Sequence, residues 1–513
     1  MVKTFRHRQF LLACALACVT AFLTPGGSSQ EKGERHSDAG RAASLRLEPC
    51  EVPGAGQGVK EKARCGTYEV FENRASKSGR KIKLNIVVFP ATGRDKAADP
   101  LFYIPGGPGS SATEDAPYVA QGYAKIRERR DLVFVDQRGT GGSNPLNCVF
   151  FNPQDLQSYL GAYFPLEDVR KCREQLEPKA DLRLYTTHIA MDDLDEVRAA
   201  LGYGRINIVG ASYGTRAAQD YLKRHGKHVR AVILHGVSLT GQHMPRDFPQ
   251  HTERALNGVV DECAADEACR AAFPGLRAEV KTVLERLLRG PVEVDLKNAQ
   301  TGESLTVKLS RDLAGEAIRY MLYQPNAASR IPLYIHLAAR GDFAPLARSA
   351  IFYRRQIVAT GSNGMYLSVT CAEDLPWIKP GEGERNGAHT FLGDYRLRQQ
   401  RAACALWPRA DIPKHYSEPT RADVPALILT GQWDPVTPPA YGDAAARHLT
   451  NSLHLVVPHG GHGFGGLDGV GCIQNLIDDF VNRGTTSGLD TSCVKNIRRK
   501  GFVLELAAPK PTP

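Results

Sequence analysis

The segment "RINIVGASYGTRAAQDYLKRH", residues 205–225, restricts the possible folds of this chain more than any other. Ile206, Ile208 and Val209 read as a short strand buried on both faces, and the run from Thr215 onward reads as a helix. Only Gly210 to Gly214 lies between them. A strand that becomes a helix within five residues needs a sharp backbone turn, and glycines on both sides of Ser212 permit one. Such a turn lifts the side chain at its apex clear of the sheet. The letters G-x-S-x-G are weak evidence alone in a chain with 49 glycines. The strand before and the helix after make them specific.

Similar units flank this one. "GTYEVFEN" and "KIKLNIVVFP" read as strands, and "PLFYIPGG" and "RDLVFVDQRG" are apolar runs ending in glycine-containing loops. In "MDDLDEVRAALG", Leu194, Val197 and Leu201 share a helical face; the acids are expected in its first turn, with Gly202 as the stop. "VRAVILHG", "VPALILTGQWD" and "SLHLVVPHGGHG" are further strands followed by loops. Strand and helix in alternation predict an α/β fold with a mostly parallel central sheet flanked by helices. The rhythm breaks between residues 240 and 400, where stretches such as "AEVKTVLERLLRG" predict a mainly helical cap insertion. The core is therefore expected in two parts, 46–239 and 401–497, with a tail at 498–513.

The amino-terminal "MVKTFRHRQFLLACALACVTAFLTPGGSSQ" has a basic start and an apolar run from Phe10 to Leu23. That run is short for a membrane span and reads as a secretory signal over residues 1–21, followed by a flexible lead-in over 22–45. A lipid-modified Cys18 or Cys14 is the alternative, but "ALAC" lacks the bulky residue usual three places before such a cysteine. Export to the periplasm or the medium is expected, with no membrane span in the mature protein. Loss of Lys3, Arg6 and Arg8 lowers the formal net charge from +10 to +7. The basic surplus is scattered, with short clusters at 127–130 and 498–500, and does not describe a nucleic-acid groove. Ten cysteines remain, an even number in an exported chain, and neighbours in sequence suggest Cys50–Cys65, Cys148–Cys172, Cys263–Cys269, Cys371–Cys404 and Cys472–Cys493. Sequence alone leaves the connectivity open. No spacing of cysteine or histidine suggests a zinc site.

A serine hydroxyl attacks a carbonyl only when a base removes its proton and an acid orients that base. Asp434 follows the strand "PALILTGQW", and His462 comes 28 residues later in "HGGHGFGG", with His459 as its rival. Glycines around His462 would let its loop carry the imidazole over Ser212. The glycines of "IPGGPGSSA" follow a strand and could offer an amide to a tetrahedral oxyanion. Gly107 is assigned as one donor, with Gly106 second, and the Tyr213 amide as the other.

The motifs "GGPGSS", "VDQRGTGGSNPL", "YTTHIAMDDLDEVRAALGYGRINIVGASYGTRAA", "GQWDPVTPP" and "GGHG" resemble the prolyl and tripeptidyl aminopeptidase branch of the α/β-hydrolases. The resemblance covers residues 63–240 and 365–497. Pro105 stands where prolyl aminopeptidases usually carry histidine, which favours the secreted tripeptidyl aminopeptidase-like branch. "VTCAEDLPW", "ACALWPR" and the closing "GCIQNLIDDFVNRG" are similar to that branch and support Cys371–Cys404 and Cys472–Cys493. The resemblance implies a serine exopeptidase acting on peptides with a free N-terminus, with Ser212, Asp434 and His462 catalytic and no metal or organic cofactor. An α-ammonium group then needs a carboxylate partner, and Glu373 and Asp374 are the candidates. Arg138 is expected to brace a loop beside the site, and Thr437 to line the pocket. An esterase or amidase of the same fold, and a non-catalytic binding homologue, are the alternatives. Oligomeric state is not readable.

Overall fold

Burial separates the strands into two kinds. The outer strands β1 (Glu48–Pro53) and β2 (Lys60–Phe71) alternate exposed and covered positions, while β4 (Leu101–Ile104), β5 (Leu132–Val135) and β6 (Ile206–Ala211) are buried almost throughout. That contrast follows from the computed structural model, which describes residues 45–506 except 57, 153 and 298–303. β3 (Lys81–Phe89) and β7 (Val229–His235) complete the first half. A hairpin, β8 (Val292–Lys297) with β9 (Ser304–Leu309), stands apart. β10 (Ala426–Gly431) and β11 (Ser452–Val457) return to the main sheet.

The sheet has nine strands in the order β1-β2-β3-β5-β4-β6-β7-β10-β11. β1, β2 and β3 pair antiparallel, and β3 pairs antiparallel with β5. From β5 to β11 every pairing is parallel. The carboxyl ends of β4, β6, β10 and β11 therefore open on one edge, where ligands bind in sheets of this kind. Val197, Ile208, Ala217 and Leu222 belong to the apolar cluster on one face; Ala116, Val209, Leu427 and Phe480 belong to the cluster on the other.

Between β7 and β10 the chain is mostly helical, with Phe248–Ala265, Leu276–Leu288 and Ala344–Thr360 the longest pieces. The hairpin is the exception, and its "VEVDLK" and "SLTVKL" carry alternating burial that the sequence reading passed over. A third apolar cluster fills this region. It also takes in Phe150, Phe151, Tyr159, Tyr163 and Phe164 from the excursion that follows β5. Five disulfides form, Cys50–Cys65, Cys148–Cys172, Cys263–Cys269, Cys371–Cys404 and Cys472–Cys493, the five pairs of neighbours in sequence. Among the described residues no helix is long and apolar enough to cross a membrane. The expected signal sequence, residues 1–21, and the lead-in up to residue 44 lie outside the described residues, as do Cys14 and Cys18.

One expected detail is corrected. The acids of "MDDLDEV" are not in a first turn, because the helix starts earlier, at Thr187, where the Thr186 hydroxyl accepts from the Ile189 amide and caps it. The acids lie in mid-helix and serve ion pairs: Asp192 with Arg224, Asp193 with Arg138 and Arg74, Asp195 with Arg198. The basic run at 127–130 is likewise engaged: Arg127 meets Glu61, Arg129 meets Asp95 and Arg130 meets Asp99.

Arg138 is wholly buried. Its guanidinium donates to both oxygens of Asp193, at 2.6 and 3.0 Å, and to the carbonyls of Glu72, Leu184 and Phe71. It thus clamps the loop after β5 to the helix Thr187–Ala200 and to the end of β2. Arg138→Met should lower unfolding stability by about 2–4 kcal/mol, because it leaves the buried Asp193 with Arg74 alone and removes the donors to three carbonyls. Urea unfolding of the two proteins measures the difference.

Candidate active site

Ser212 has φ 55° and ψ −123°, a left-handed backbone that costs a non-glycine residue about 1–3 kcal/mol. Close packing on both sides imposes it. A methyl group at Gly210 would come within 2.5 Å of the Gly214 carbonyl oxygen, and one at Gly214 would run into the carbonyl oxygens of Ile104 and Pro105. The helix Tyr213–His225 therefore sits hard against the end of β4. The Ser212 amide donates to the His235 carbonyl at 2.8 Å, and its carbonyl accepts from the Thr215 hydroxyl at 2.6 Å. The hydroxyl projects from the apex of the turn.

Asp434 follows β10 in a buried turn. Its Oδ1 accepts the amides of Val436 and Thr437, both at 2.8 Å. Its Oδ2 accepts the Thr437 hydroxyl at 2.7 Å and His462 Nδ1 at 2.7 Å. Burial alone would push this carboxyl up, but the imidazole and the Thr437 donors outweigh it and hold the acid below its usual range. Asp434 thus stays ionised as pH falls through the neutral range, and the orienting bond is lost only once pH drops through that depressed value.

His462 is placed by its neighbours. A side chain at Gly236 would strike its ring at 2.9 Å, and Tyr323 packs edge-on with ring centroids 4.8 Å apart. Thr437 Oγ1 lies 3.0 Å from Nδ1, so the hydroxyl touches both acid and base. With Nδ1–H given to Asp434, Nε2 is the free acceptor. His459 is drawn elsewhere, its Nδ1 2.6 Å from Glu262. Ser212 and His462 line one cavity of about 320 Å³. Among the described residues the serine hydroxyl is not hydrogen-bonded to the imidazole, a bond that commonly tightens only around substrate.

Gly106 and Gly107 line the same cavity. Gly107 has φ 111°, closed to other residues, and Gly106 packs so that a methyl there would lie 3.1 Å from the Ser212 β-carbon. The Tyr213 amide opens the helix and has no acceptor within it. Much of the remaining wall is aromatic and basic, including Tyr163, Tyr320, Tyr323, Tyr366, Arg319 and Arg396. Sequence reading found none of these six; their shared position depends on folding of the insertion, and nothing in their local spacing announces it.

Glu373 and Asp374 are placed away from the cavity wall. Glu373 accepts the Thr187 amide at 2.7 Å, the Thr187 hydroxyl at 2.8 Å and the Tyr416 hydroxyl at 2.6 Å. Asp374 meets Arg216 at 2.9 Å, both side chains fully buried, and accepts the Met244 amide at 3.1 Å. They anchor the helix Tyr213–His225 from behind, so a direct contact with a substrate ammonium is set aside: neither carboxylate reaches the cavity.

Burial raises Glu373 from its ordinary value near 4.5 to about 7, against the opposing pull of Arg216 and its hydrogen bonds. A carboxyl protonated more readily in the folded protein favours folding at low pH and loses that advantage as pH rises from about 4.5 to 7. Glu373→Gln, which keeps the neutral form at all pH, should therefore gain stability relative to the parent across that window. The gain should reach on the order of 2–3 kcal/mol above pH 7, read from denaturant unfolding at pH 5 and pH 8.

Residues 99–292 match the family model described as alpha/beta hydrolase fold, and residues 389–493 match the one described as TAP-like protein. Serine protease Hip1 of Mycobacterium tuberculosis is 28% identical, the match covering 95% of this chain and 98% of that protein. Carboxylesterase B of the same species is 26% identical over 84% and 86%. Tripeptidyl aminopeptidase of Streptomyces coelicolor is 30% identical, over 88% of this chain and 86% of its own length. Its likeness along nearly the whole chain, with a parallel sheet presenting serine, acid and histidine loops at one edge, means that this chain belongs to the tripeptidyl aminopeptidase family of α/β-hydrolases.

Proposed function

We propose that the chain is an exported serine exopeptidase that hydrolyses peptide bonds near free amino termini. The observation that carries this reading is the 2.7 Å bond from His462 Nδ1 to the buried Asp434, in the cavity that also holds Ser212. In this account Ser212 Oγ attacks the scissile carbonyl carbon while His462 Nε2 takes its proton. Asp434 holds the tautomer and stabilises the cation that forms. The amides of Gly107 and Tyr213 donate hydrogen bonds to the developing oxyanion. The imidazolium then returns its proton to the leaving amine, and water, activated by the same base, hydrolyses the acyl-enzyme. The related serine protease and tripeptidyl aminopeptidase support peptides as substrates. The five disulfides suit an oxidising compartment.

A second reading keeps the triad and hydrolyses esters, favoured by the related carboxylesterase B. Parallel assays of a peptide library and 4-nitrophenyl esters separate the two, and cleavage abolished by N-terminal acetylation marks an exopeptidase.

Ser212→Ala should lower kcat by on the order of 10⁵-fold or more and abolish labelling by a fluorophosphonate, with an unchanged melting temperature. Labelling that persists removes Ser212 from the mechanism. Thr437→Val should lower kcat by roughly tenfold or more with little change in KM, since it removes a charge-assisted bond that orients acid and base together. Thr437→Ser, which restores the hydroxyl, should recover most of the rate.

A further inference from the structure

The cavity beside Ser212 carries a charge pattern that acyl transfer does not use. Its wall holds two guanidinium groups, Arg319 and Arg396, and among the described residues no carboxylate lines it. One acid stands behind them. Glu316, 1% exposed, accepts from Arg319 Nη2 at 2.8 Å and Nε at 3.2 Å, and from Arg396 Nη1 at 3.2 Å. A third guanidinium, Arg354, is also buried against Tyr163, 4.3 Å from its ring centroid, and donates to the Ala162 carbonyl. One carboxylate thus faces three arginines where little water reaches.

The surplus is not discharged elsewhere. Arg396 Nε and Arg354 Nε are buried with no hydrogen-bond partner among the described residues. Tyrosine rings lie against the cations, Tyr320 at 3.9 Å from Arg319 and Tyr163 at 3.5 Å from Arg396. Arg319 and Arg396 also donate to the hydroxyls of Tyr323 and Tyr366. These contacts fix the guanidinium planes and spread their charge without neutralising it. Buried charge without a counter-ion is costly, and a substrate that brings an anion relieves that cost when it binds. The Nε/Nη2 fork of Arg319 is spent on Glu316, which leaves Arg396 Nε and the second hydrogens of the Nη groups as the donors for a further carboxylate.

We propose that Arg319 and Arg396 form a carboxylate subsite in the catalytic cavity, so that the enzyme selects peptides with an acidic side chain on the acyl side of the scissile bond. This rests on the peptidase reading above. It makes substrate recognition at this wall the opposite in sign to ammonium binding, and fits a cavity in which Glu373 and Asp374 take no part.

Tripeptidyl aminomethylcoumarin amides with Glu or Gln at each of three positions test it, since they carry no C-terminal carboxylate. At one position or more, Glu should exceed Gln in kcat/KM by roughly tenfold. That ratio should collapse toward one in Arg396→Gln and recover in part in Arg396→Lys. Each ratio is taken on one preparation, so a partly folded variant does not distort it, and if a variant is inactive the parent ratio decides. A ratio near one at all three positions, or one unmoved in both Arg396→Gln and Arg319→Gln, overturns the proposal. A neutral peptide cleaved faster with a free than with an amidated C-terminus, alongside no Glu preference, moves the carboxylate to the leaving side and overturns the acyl-side assignment. If no peptide is hydrolysed, the peptidase reading itself fails. The cavity is then asked the same question with 4-nitrophenyl hemisuccinate against 4-nitrophenyl butyrate, and no preference for the anion overturns the subsite as well.

Discussion

The molecule depends on one close approach. Gly214 lies against the carbonyls of Ile104 and Pro105, and Gly210 against the carbonyl of Gly214, leaving no room for a single methyl group. This contact brings the first turn of the helix Tyr213–His225 onto the end of β4, and it forces Ser212 into its left-handed conformation. The nucleophile's direction is therefore set by backbone packing rather than by side-chain contacts. The same contact sets the oxyanion loop beside the serine, because that loop is the continuation of β4. Position of the hydroxyl and position of the amide donors are one geometric fact.

Strain at Ser212 has to be offset locally. The Thr215 hydroxyl bonds the Ser212 carbonyl, the Ser238 amide donates to Thr215 Oγ1 at 2.7 Å, and Gln219 donates to the carbonyls of Thr215 and Ser238. Each is a buried bond whose loss would leave an unsatisfied group, so together they hold the helix start more firmly than the turn resists. A glycine at 236 performs the matching task for the base, leaving space for the imidazole beside Thr437.

What the sequence made legible follows from which contacts are local. β4, β6, β10 and β11 are short runs with a glycine or aspartate within three residues of their ends, so the strands, the loops after them and the order serine, acid, histidine can all be read from neighbours within about ten residues. Choosing His462 over His459 rested on less, and the structure separates them by Glu262, which engages His459 from 197 positions away. Acids in a row suggest a dipole-stabilised first turn for the helix before β6, whereas a capping threonine six residues earlier sets its boundary. The resemblance to aminopeptidases calls for a carboxylate to meet a substrate ammonium, and Glu373 and Asp374 are the candidates it offers. Their partners Thr187, Arg216 and Tyr416 come from three distant segments, and nothing local reveals them. The Arg319–Arg396–Glu316 group was invisible for the same reason.

Those two acids show how the insertion and the sheet are joined. Asp374 pairs with Arg216, one turn into the nucleophile's helix, and Glu373 reaches Tyr213 through the Thr187 hydroxyl, which lies 2.6 Å from the Tyr213 phenol oxygen. Both contacts are buried, where an ion pair is expensive to break even if it adds little net stability when formed. The segment that follows the helix Asn363–Glu373 cannot move far from the catalytic helix without exposing or orphaning these groups. Yet the opposite end of the same helix, Ser362 and Asn363, lines the cavity beside the oxyanion loop, where the Ser362 amide donates to the Gly109 carbonyl at 2.9 Å. One helix of the insertion is thus fixed to the back of the nucleophile's helix at its carboxyl end and to the oxyanion loop at its amino end. The insertion therefore acts as a strut that holds the two halves of the acyl-transfer site at a set separation, and rigid displacement of it as a lid would require both buried attachments to break together.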